Sequence, residues 1–392
     1  MDIIVNINSL NQPITGIGRS TVELLKVLIT ENNIQGFDLI NHYTHQQLVE
    51  KLYHLDDVVQ GGKSLTREAS LLRQVLRKSR HVHTLKQLIQ SYRISKKLQQ
   101  CNDFIYWEPN YILQPFDGLS VATIHDLSHI KYPEYQTIAT RSWLDDNLEE
   151  TITRADLLIA VSEFTKQEII QHFSVPEHKV QVVTHAVSEQ FKIEISDQHL
   201  VKIKNKYGLP KKYILSVGTL EPRKNLQRLI KAYQQLPKKI KQEYPLVLVG
   251  AKGWGHMESL IQTMITKHEI IKLGYVAQQD ISAIYRGASL FTYLSLYEGY
   301  GMPVAEAMAS GVAVITSENS AMSEISGDAA KLVNPLDEQA ITEAIQYYLE
   351  NEQARQKLAD KGKLKMQYNT WQNSANTLQK TFNQLKNNDS NV

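Results

Sequence analysis

The sequence predicts an α/β protein of two doubly wound, parallel-sheet, Rossmann-like domains facing each other across a cleft. Three observations carry that expectation. At 392 residues the chain exceeds what one core comfortably holds, so two domains of ordinary size are expected. Short β-branched apolar runs alternate with segments of helical periodicity, the pattern of strands buried on both faces of a parallel sheet. The alternation restarts after a polar, lysine-bearing stretch between Gln190 and Pro210.

Taken in order, Ile3–Ile7 reads as the first strand, a helix follows from about Arg19 to Thr30, and Phe37–Ile40 reads as the second strand. Phe104–Tyr106, Val121–Ile124, Leu157–Val161 and Val180–Val183 complete the first half. In the second half Tyr213–Val217, Leu246–Val249, Ile270–Leu273, Leu290–Leu294 and Val312–Ile315 are short apolar runs, each followed by a turn signal and a helical segment. One polar amphipathic helix from about Gln353 through Trp371 to Leu385 ends in a frayed tail. The expected boundaries are 1–190 for the first domain, 191–212 for a linker, 213–370 for the second domain and 371–392 for a final helix and tail with reach to return to the first domain. A ligand is expected in the cleft, at the carboxyl ends of the strands.

Composition narrows the class. Hydrophobic residues make up 42% and charged residues 21%, as in a soluble globular protein. The net charge of +2 argues neither way about nucleic acid, and no nucleic-acid partner is expected. One cysteine, Cys101, cannot form an intrachain disulfide and fits a reducing compartment. The start MDIIVNINSL lacks the basic and apolar stretches of a signal peptide, and no apolar run approaches the roughly 20 residues of a bilayer span. The expected location is the cytoplasm. One segment stands apart: Lys63–Lys97 holds ten Lys or Arg and one acid, Glu68, with leucine, valine and isoleucine at mostly helical spacings. It reads either as a solvated helical face or as an interfacial surface for anionic lipid on the inner face of the cytoplasmic membrane.

The densest chemistry lies between Leu290 and Pro335. Glu298-Gly-Tyr-Gly-Met-Pro-Val-Ala-Glu306 places two carboxylates with seven residues between them. Gly299 and Gly301 turn the chain at the end of a strand, and Pro303 suits the first turn of a helix because its missing N–H would have no partner there. Glu298 then sits in the loop, Glu306 about one turn into the helix, and the amides between them at a helix start suit a phosphate. Ser216-Val-Gly-Thr-Leu-Glu-Pro-Arg-Lys-Asn225 ends another strand with two adjacent cations, Arg223 and Lys224, able to hold a leaving diphosphate. Gly16-Ile-Gly18-Arg19 opens the first helix where a ligand can approach the backbone. The third glycine of a dinucleotide fingerprint is absent there, which disfavours an NAD dehydrogenase. His125, in Ile124-His-Asp-Leu127, lies where a strand gives way to loop and points to the cleft. Ser162 reads as a helix cap.

Together these segments resemble the retaining glycosyltransferase family 4, of the GT-B fold. The match runs over about residues 1–350. It is carried by Gly16–Arg19, IHDLSHIKYPEY, AVSEFTKQEII, SVGTLEPRKNL, LVGAKGW, LGYVAQQDISAIYRGA, the EGYGMPVAEAMASG run and SEISGDAAKLVNP. The resemblance implies that Arg223 and Lys224 bind the diphosphate of a nucleotide-sugar donor. Glu298, with the backbone amides of Gly299, Tyr300, Gly301 and Met302, would hold hydroxyls of the donor sugar, and Glu306 would accept from the ribose. Gly16 and Gly18 would line the cleft near the phosphates, His125 would face the sugar, and Tyr275 would lie against the base. Lys63–Lys97 has no counterpart in the family pattern.

The family generally works without a divalent metal or other cofactor, and no aspartate-x-aspartate pair stands at a strand end; Asp145-Asp146 falls inside a helical pattern. Retention can occur by front-face attack, with Asp126 the nearby candidate nucleophile for a double displacement. HDLSHIKYPEYQT, with VSEFTKQEII, is most similar to bacterial mannosyl- or rhamnosyltransferases of O-antigen or capsule synthesis. A GDP-hexose donor is therefore favoured, GDP-mannose first, with a saccharide or polyprenyl-diphosphate-linked saccharide acceptor. A UDP-sugar donor and a nucleotide-sugar epimerase stay open as alternatives.

Overall fold

The computed structural model describes residues 1–11, 16–60, 94, 96–251, 270–274 and 276–389. Among these residues thirteen strands form two sheets. The first holds β1 (Asp2–Asn6), β2 (Asn33–Phe37), β3 (His42–Tyr43), β4 (Ile105–Glu108), β5 (Ser120–Ile124), β6 (Leu157–Ala160) and β7 (Val180–Val182), in the order β3-β2-β1-β4-β5-β6-β7. The second holds β8 (Ile214–Val217), β9 (Leu246–Val249), β10 (Ile270–Gly274), β11 (Leu290–Tyr293), β12 (Val314–Ser317) and β13 (Lys331–Val333), in the order β10-β9-β8-β11-β12-β13. Every pairing is parallel except β2 with β3.

Successive strand residues enter opposite cores, as a pleated strand covered on both faces requires. Ile3 and Val5 pack in one cluster with Leu25 and Trp107, while Ile4 joins Phe37, Tyr106 and Ile124 on the other face. In the second sheet Leu246 and Leu248 face Leu229 and Ile230, and Val247 and Val249 face Tyr285 and Val304.

Sheet order fixes where a site can form. In each sheet the chain winds outward one way, then returns beside its first strand and winds the other way. The reversals fall between β1 and β4 and between β8 and β11. Loops leaving adjacent strands at such a point diverge to opposite faces and leave a crevice at the carboxyl ends.

The second strand and the closing helix differ from expectation, and β3 and β13 add to the expected strands. The second strand runs Asn33–Phe37 rather than Phe37–Ile40, because Asp38 accepts from the amides of Ile40 and Asn41 and bends the chain there. The short edge strand β3 turns back antiparallel from that bend. The closing helix is two, Glu352–Met366 and Trp371–Asp389. Between them Asn369 accepts from the amide of Val187 at 2.9 Å and donates to the carbonyl of His185 at 3.2 Å. The last helix lies on the first sheet, with Trp371, Ala375, Leu378 and Phe382 in the cluster of Ile3, Val5 and Trp107. No described helix is long and apolar enough to cross a membrane. Lys63–Arg93 and Ser95 of the basic segment, and Tyr275, lie outside the described residues.

Candidate active site

Arg223 and Lys224 follow β8 in a short 3-10 turn, Pro222–Lys224, and Glu298 lies in the loop after β11. These loops flank the reversal of the second sheet, and their side chains meet. Lys224 Nζ donates to Glu298 Oε1 at 2.6 Å, and Arg223 lies 3.0 Å from Glu298 Oε2. The hydroxyls of Tyr293 and Ser295 also donate to Glu298 Oε1, each at 2.8 Å. Glu221 completes the group, 2.9 Å from Arg223 and 3.8 Å from Lys224.

The two cations and two carboxylates cancel formally, which lets them be buried together. Burial alone would raise the Glu298 carboxyl, but the charges of Arg223 and Lys224 outweigh it and hold it at about 2. Burial likewise opposes the charge on Arg223, and Glu298, Asp126 and Glu221 more than restore it. The arrangement keeps Glu298 an ionised acceptor and Arg223 charged beside the reversal point. Ser216, Gly218, Lys224, Val249 and Tyr293 line a small cavity next to the cluster.

Gly301, with φ 98°, caps the helix Met302–Ala309 in a left-handed conformation that glycine adopts without strain. In the first turn of that helix Pro303 has no N–H and Val304 donates to the Gly301 carbonyl at 2.9 Å, so the amide it can offer an anion is that of Met302. Glu306 sits on the same helix and accepts from the Tyr285 hydroxyl at 2.8 Å. Burial lifts its carboxyl to about 7, against the opposing effects of Tyr285 and Arg19. Arg19, beside Gly18 in the first domain, thus acts electrostatically across the cleft. Gly16 and Gly18 open the helix Gly16–Leu28, and a Cβ on Gly16 would meet nothing within 4 Å.

His125 lies at the end of β5 and is buried. Its Nε2 is 2.8 Å from the carbonyl of Pro109, which can only accept, so Nε2 carries the proton. Burial lowers its pKa, leaving a neutral ring whose Nδ1 is an acceptor with no protein partner among the described residues. The ring stacks on His185 at 5.5 Å and meets Tyr111 edge-on. Tyr111 also holds the next residue, accepting from the Asp126 amide at 3.0 Å.

The domains touch directly. A Cβ on Gly299 would lie 1.7 Å from the His125 carbonyl oxygen, so only glycine permits this approach. Tyr300 is buried between the domains and donates to the His185 carbonyl at 2.5 Å, so its backbone alone is left for a ligand. The structure therefore brings Arg223, Lys224, Glu298, Gly299, Tyr300, Gly301, Met302 and His125 to one end of the cleft, with Glu306 one helical turn away. Tyr293, Ser295 and Glu221 escape sequence reasoning because a strand-end tyrosine or serine carries no signal until its neighbour is known. Ser162, read as a cap, does cap Thr165 but also donates to the Gly299 carbonyl. Among the described residues no group of three His, Cys, Asp or Glu is placed to hold a metal ion.

Two family models match the chain: Glycosyltransferase Family 4 over residues 71–191 and Glycosyl transferases group 1 over residues 201–365. O-antigen chain mannosyltransferase B of Escherichia coli is 32% identical over 384 residues, spanning 95% of this chain and 97% of that protein. O-antigen chain mannosyltransferase RfbU of Salmonella typhimurium is 26% identical over 226 residues, 57% of this chain and 59% of its own. Among solved structures, Anabaena HepE in complex with UDP-glucose superposes with a TM-score of 0.71 at 17% identity, covering 98% of this chain and 100% of that one. WaaG, a glycosyltransferase involved in lipopolysaccharide biosynthesis, superposes at 0.67 with 13% identity, covering 96% and 98%. At these identities the structures speak to the shared two-domain fold.

Proposed function

The chain belongs to glycosyltransferase family 4, with the GT-B architecture, and we propose that it is a retaining mannosyltransferase. In this reading it moves mannose from GDP-mannose to a saccharide or polyprenyl-diphosphate-linked saccharide of a bacterial surface polysaccharide. The observation that carries the reading is the meeting of Arg223, Lys224 and Glu298 at the reversal between β8 and β11. Mannose and the O-antigen context are suggested by the mannosyltransferase 32% identical along nearly the whole chain.

The chemistry follows from charge. As the bond from C1 to the diphosphate oxygen breaks, negative charge grows on the leaving group. Arg223, Lys224 and the positive end of the Met302–Ala309 helix, with the Met302 amide, supply fixed positive poles for it. The acceptor hydroxyl adds to C1 from the same face and passes its proton to the departing phosphate oxygen, so the configuration at C1 is kept. Glu298 accepts from sugar hydroxyls, Glu306 from the ribose, and the neutral Nδ1 of His125 from a sugar hydroxyl near C1. Gly16 and Gly18 admit the phosphates. With these poles in place the reaction needs no divalent metal, and turnover survives chelator.

The test is release of nucleoside diphosphate from GDP-mannose, UDP-glucose and UDP-N-acetylglucosamine, each with a lipid-linked saccharide acceptor. GDP-mannose is expected to be consumed, with the anomeric configuration of the product retained by NMR. Lys224→Ala and Glu298→Ala should each lower turnover by roughly 100-fold or more, since removing one electrostatic stabiliser costs that much. Wild-type turnover in both variants overturns the site, and preference for a UDP-sugar overturns the donor.

A further inference from the structure

Several of the contacts between the domains gather on the first turn of one helix. The helix Glu163–Phe173 belongs to the first domain and receives two groups of the second. The Glu324 carboxylate accepts from the amides of Glu163 at 3.0 Å and Phe164 at 2.9 Å, one oxygen to each. Those amides have no acceptor within their own helix, and the positive pole there favours an anion. From the same turn, the hydroxyls of Ser162 and Thr165 donate to the carbonyl of Gly299, at 2.7 and 3.2 Å. A third contact lies alongside: the Tyr297 hydroxyl accepts from the Leu127 amide at 2.9 Å and donates to Glu168 of the same helix.

Gly299 and Tyr297 are the two neighbours of Glu298. The helix turn that Glu324 caps therefore also grips the loop that presents Glu298 and the Met302 amide. Glu324 lies on the helix Ala321–Ser326, outside the donor-binding set, and touches none of Arg223, Lys224 or Glu298 by hydrogen bond or ion pair.

We propose that Glu324 is a positioning residue: by clasping the first turn of the Glu163–Phe173 helix it holds that turn against Gly299 and so fixes the Glu298 loop for transfer. The proposal rests on the reading of that loop as donor-binding. Its signature is a split between binding and turnover. The diphosphate ligands Arg223 and Lys224 lie within the second domain and need no clasp to meet GDP. Turnover needs the Glu298 loop and His125 in one place.

Two variants test it. Glu324→Gln keeps the shape but turns an NH2 group toward one of the two amides. Ser162→Ala removes a donor to the Gly299 carbonyl from the other side. Each should lower kcat at least tenfold while the Kd for GDP changes less than threefold. Amide exchange followed by mass spectrometry should rise in peptides covering 162–168 and 296–303 in both. The double variant should lose little more than either single one, because both act on one contact unit. Unchanged exchange at 296–303 in both variants, or a fall in GDP affinity equal to the fall in kcat, overturns the proposal. Failure of the donor-loop reading shows separately, as full turnover in Glu298→Ala whatever the exchange of the clasp.

Discussion

Glu298 and His125 are surrounded by opposite kinds of neighbour, and this decides what each can do. Glu298 is buried among charges that keep it ionised, so it remains an acceptor over the whole working range of pH. His125 is buried among rings and a carbonyl that keep it neutral, so it accepts at Nδ1 and carries its proton at Nε2. The residue that aligns it is Tyr111, buried with φ 63°, a left-handed conformation that is uncommon for a bulky side chain. Tyr111→Phe keeps the ring against His125 and leaves the Asp126 amide without its acceptor. Leaving a buried donor unsatisfied costs about 1–3 kcal/mol, so kcat should fall roughly five- to a hundredfold with donor KM little changed. Steady-state kinetics with GDP-mannose check this, and an equal rise in KM would show that Tyr111 acts on binding instead.

The elements carrying these residues were legible in unequal measure. Gly299, Gly301 and Pro303 mark a strand-to-helix turn, and Arg223-Lys224 stand at a strand end, so the poles of the donor site can be read from spacing and turn chemistry. Their mutual contact cannot, because no local pattern says that β11 lies beside β8. The break at 367–370 was equally silent: Gln367-Tyr-Asn-Thr370 holds no glycine or proline, and the helix ends there because Asn369 is claimed by His185 and Val187 of the first domain. Gly299 shows the same dependence on tertiary context. Its two roles, turning the chain and admitting the His125 carbonyl, are separable only in three dimensions. Gly299→Ala is expected to push the two domains apart at that point, lowering both the unfolding temperature and kcat. The checks are thermal unfolding and the radius of gyration by X-ray scattering, and an unchanged radius with full activity contradicts the close approach.

At the scale of the whole molecule, the chain returns from the second domain to pack on the first. Phe382 is fully buried and meets Trp107 edge-on at 6.2 Å, so the last helix is part of the first domain's core. Phe382→Ala should cost that core about 3–5 kcal/mol, visible as earlier unfolding of the first domain. The opposite face of the first sheet holds a carboxyl with no counter-charge beside it among the described residues. Glu108, at the end of β4, accepts from Asn6 at 2.6 Å and Tyr106 at 2.7 Å, yet burial lifts it to about 8. A carboxyl that ionises near 4.5 when unfolded and near 8 when folded leaves the folded state holding one more proton between those values. Its stabilising effect is complete below about pH 4.5 and is lost as pH rises to about 8, at roughly 1.4 kcal/mol per pH unit for one proton. Buried His125 and His185, the latter lowered to about 3, act in the opposite sense and weaken the fold as pH falls below about 6.5. In the unfolded chain the histidines are half protonated at pH 6.5 and nearly neutral by about 7.5, so they oppose the decline in the lower part of the window between pH 6.5 and 8, and the decline itself belongs to the buried acids. Glu306, at about 7, contributes only to its lower part. Thermal unfolding of wild type and Glu108→Gln at pH 6.5, 7, 7.5 and 8 should show a falling unfolding temperature in the first and a flatter profile in the second. Parallel profiles would mean that Glu108 is already ionised in the folded protein at pH 6.5.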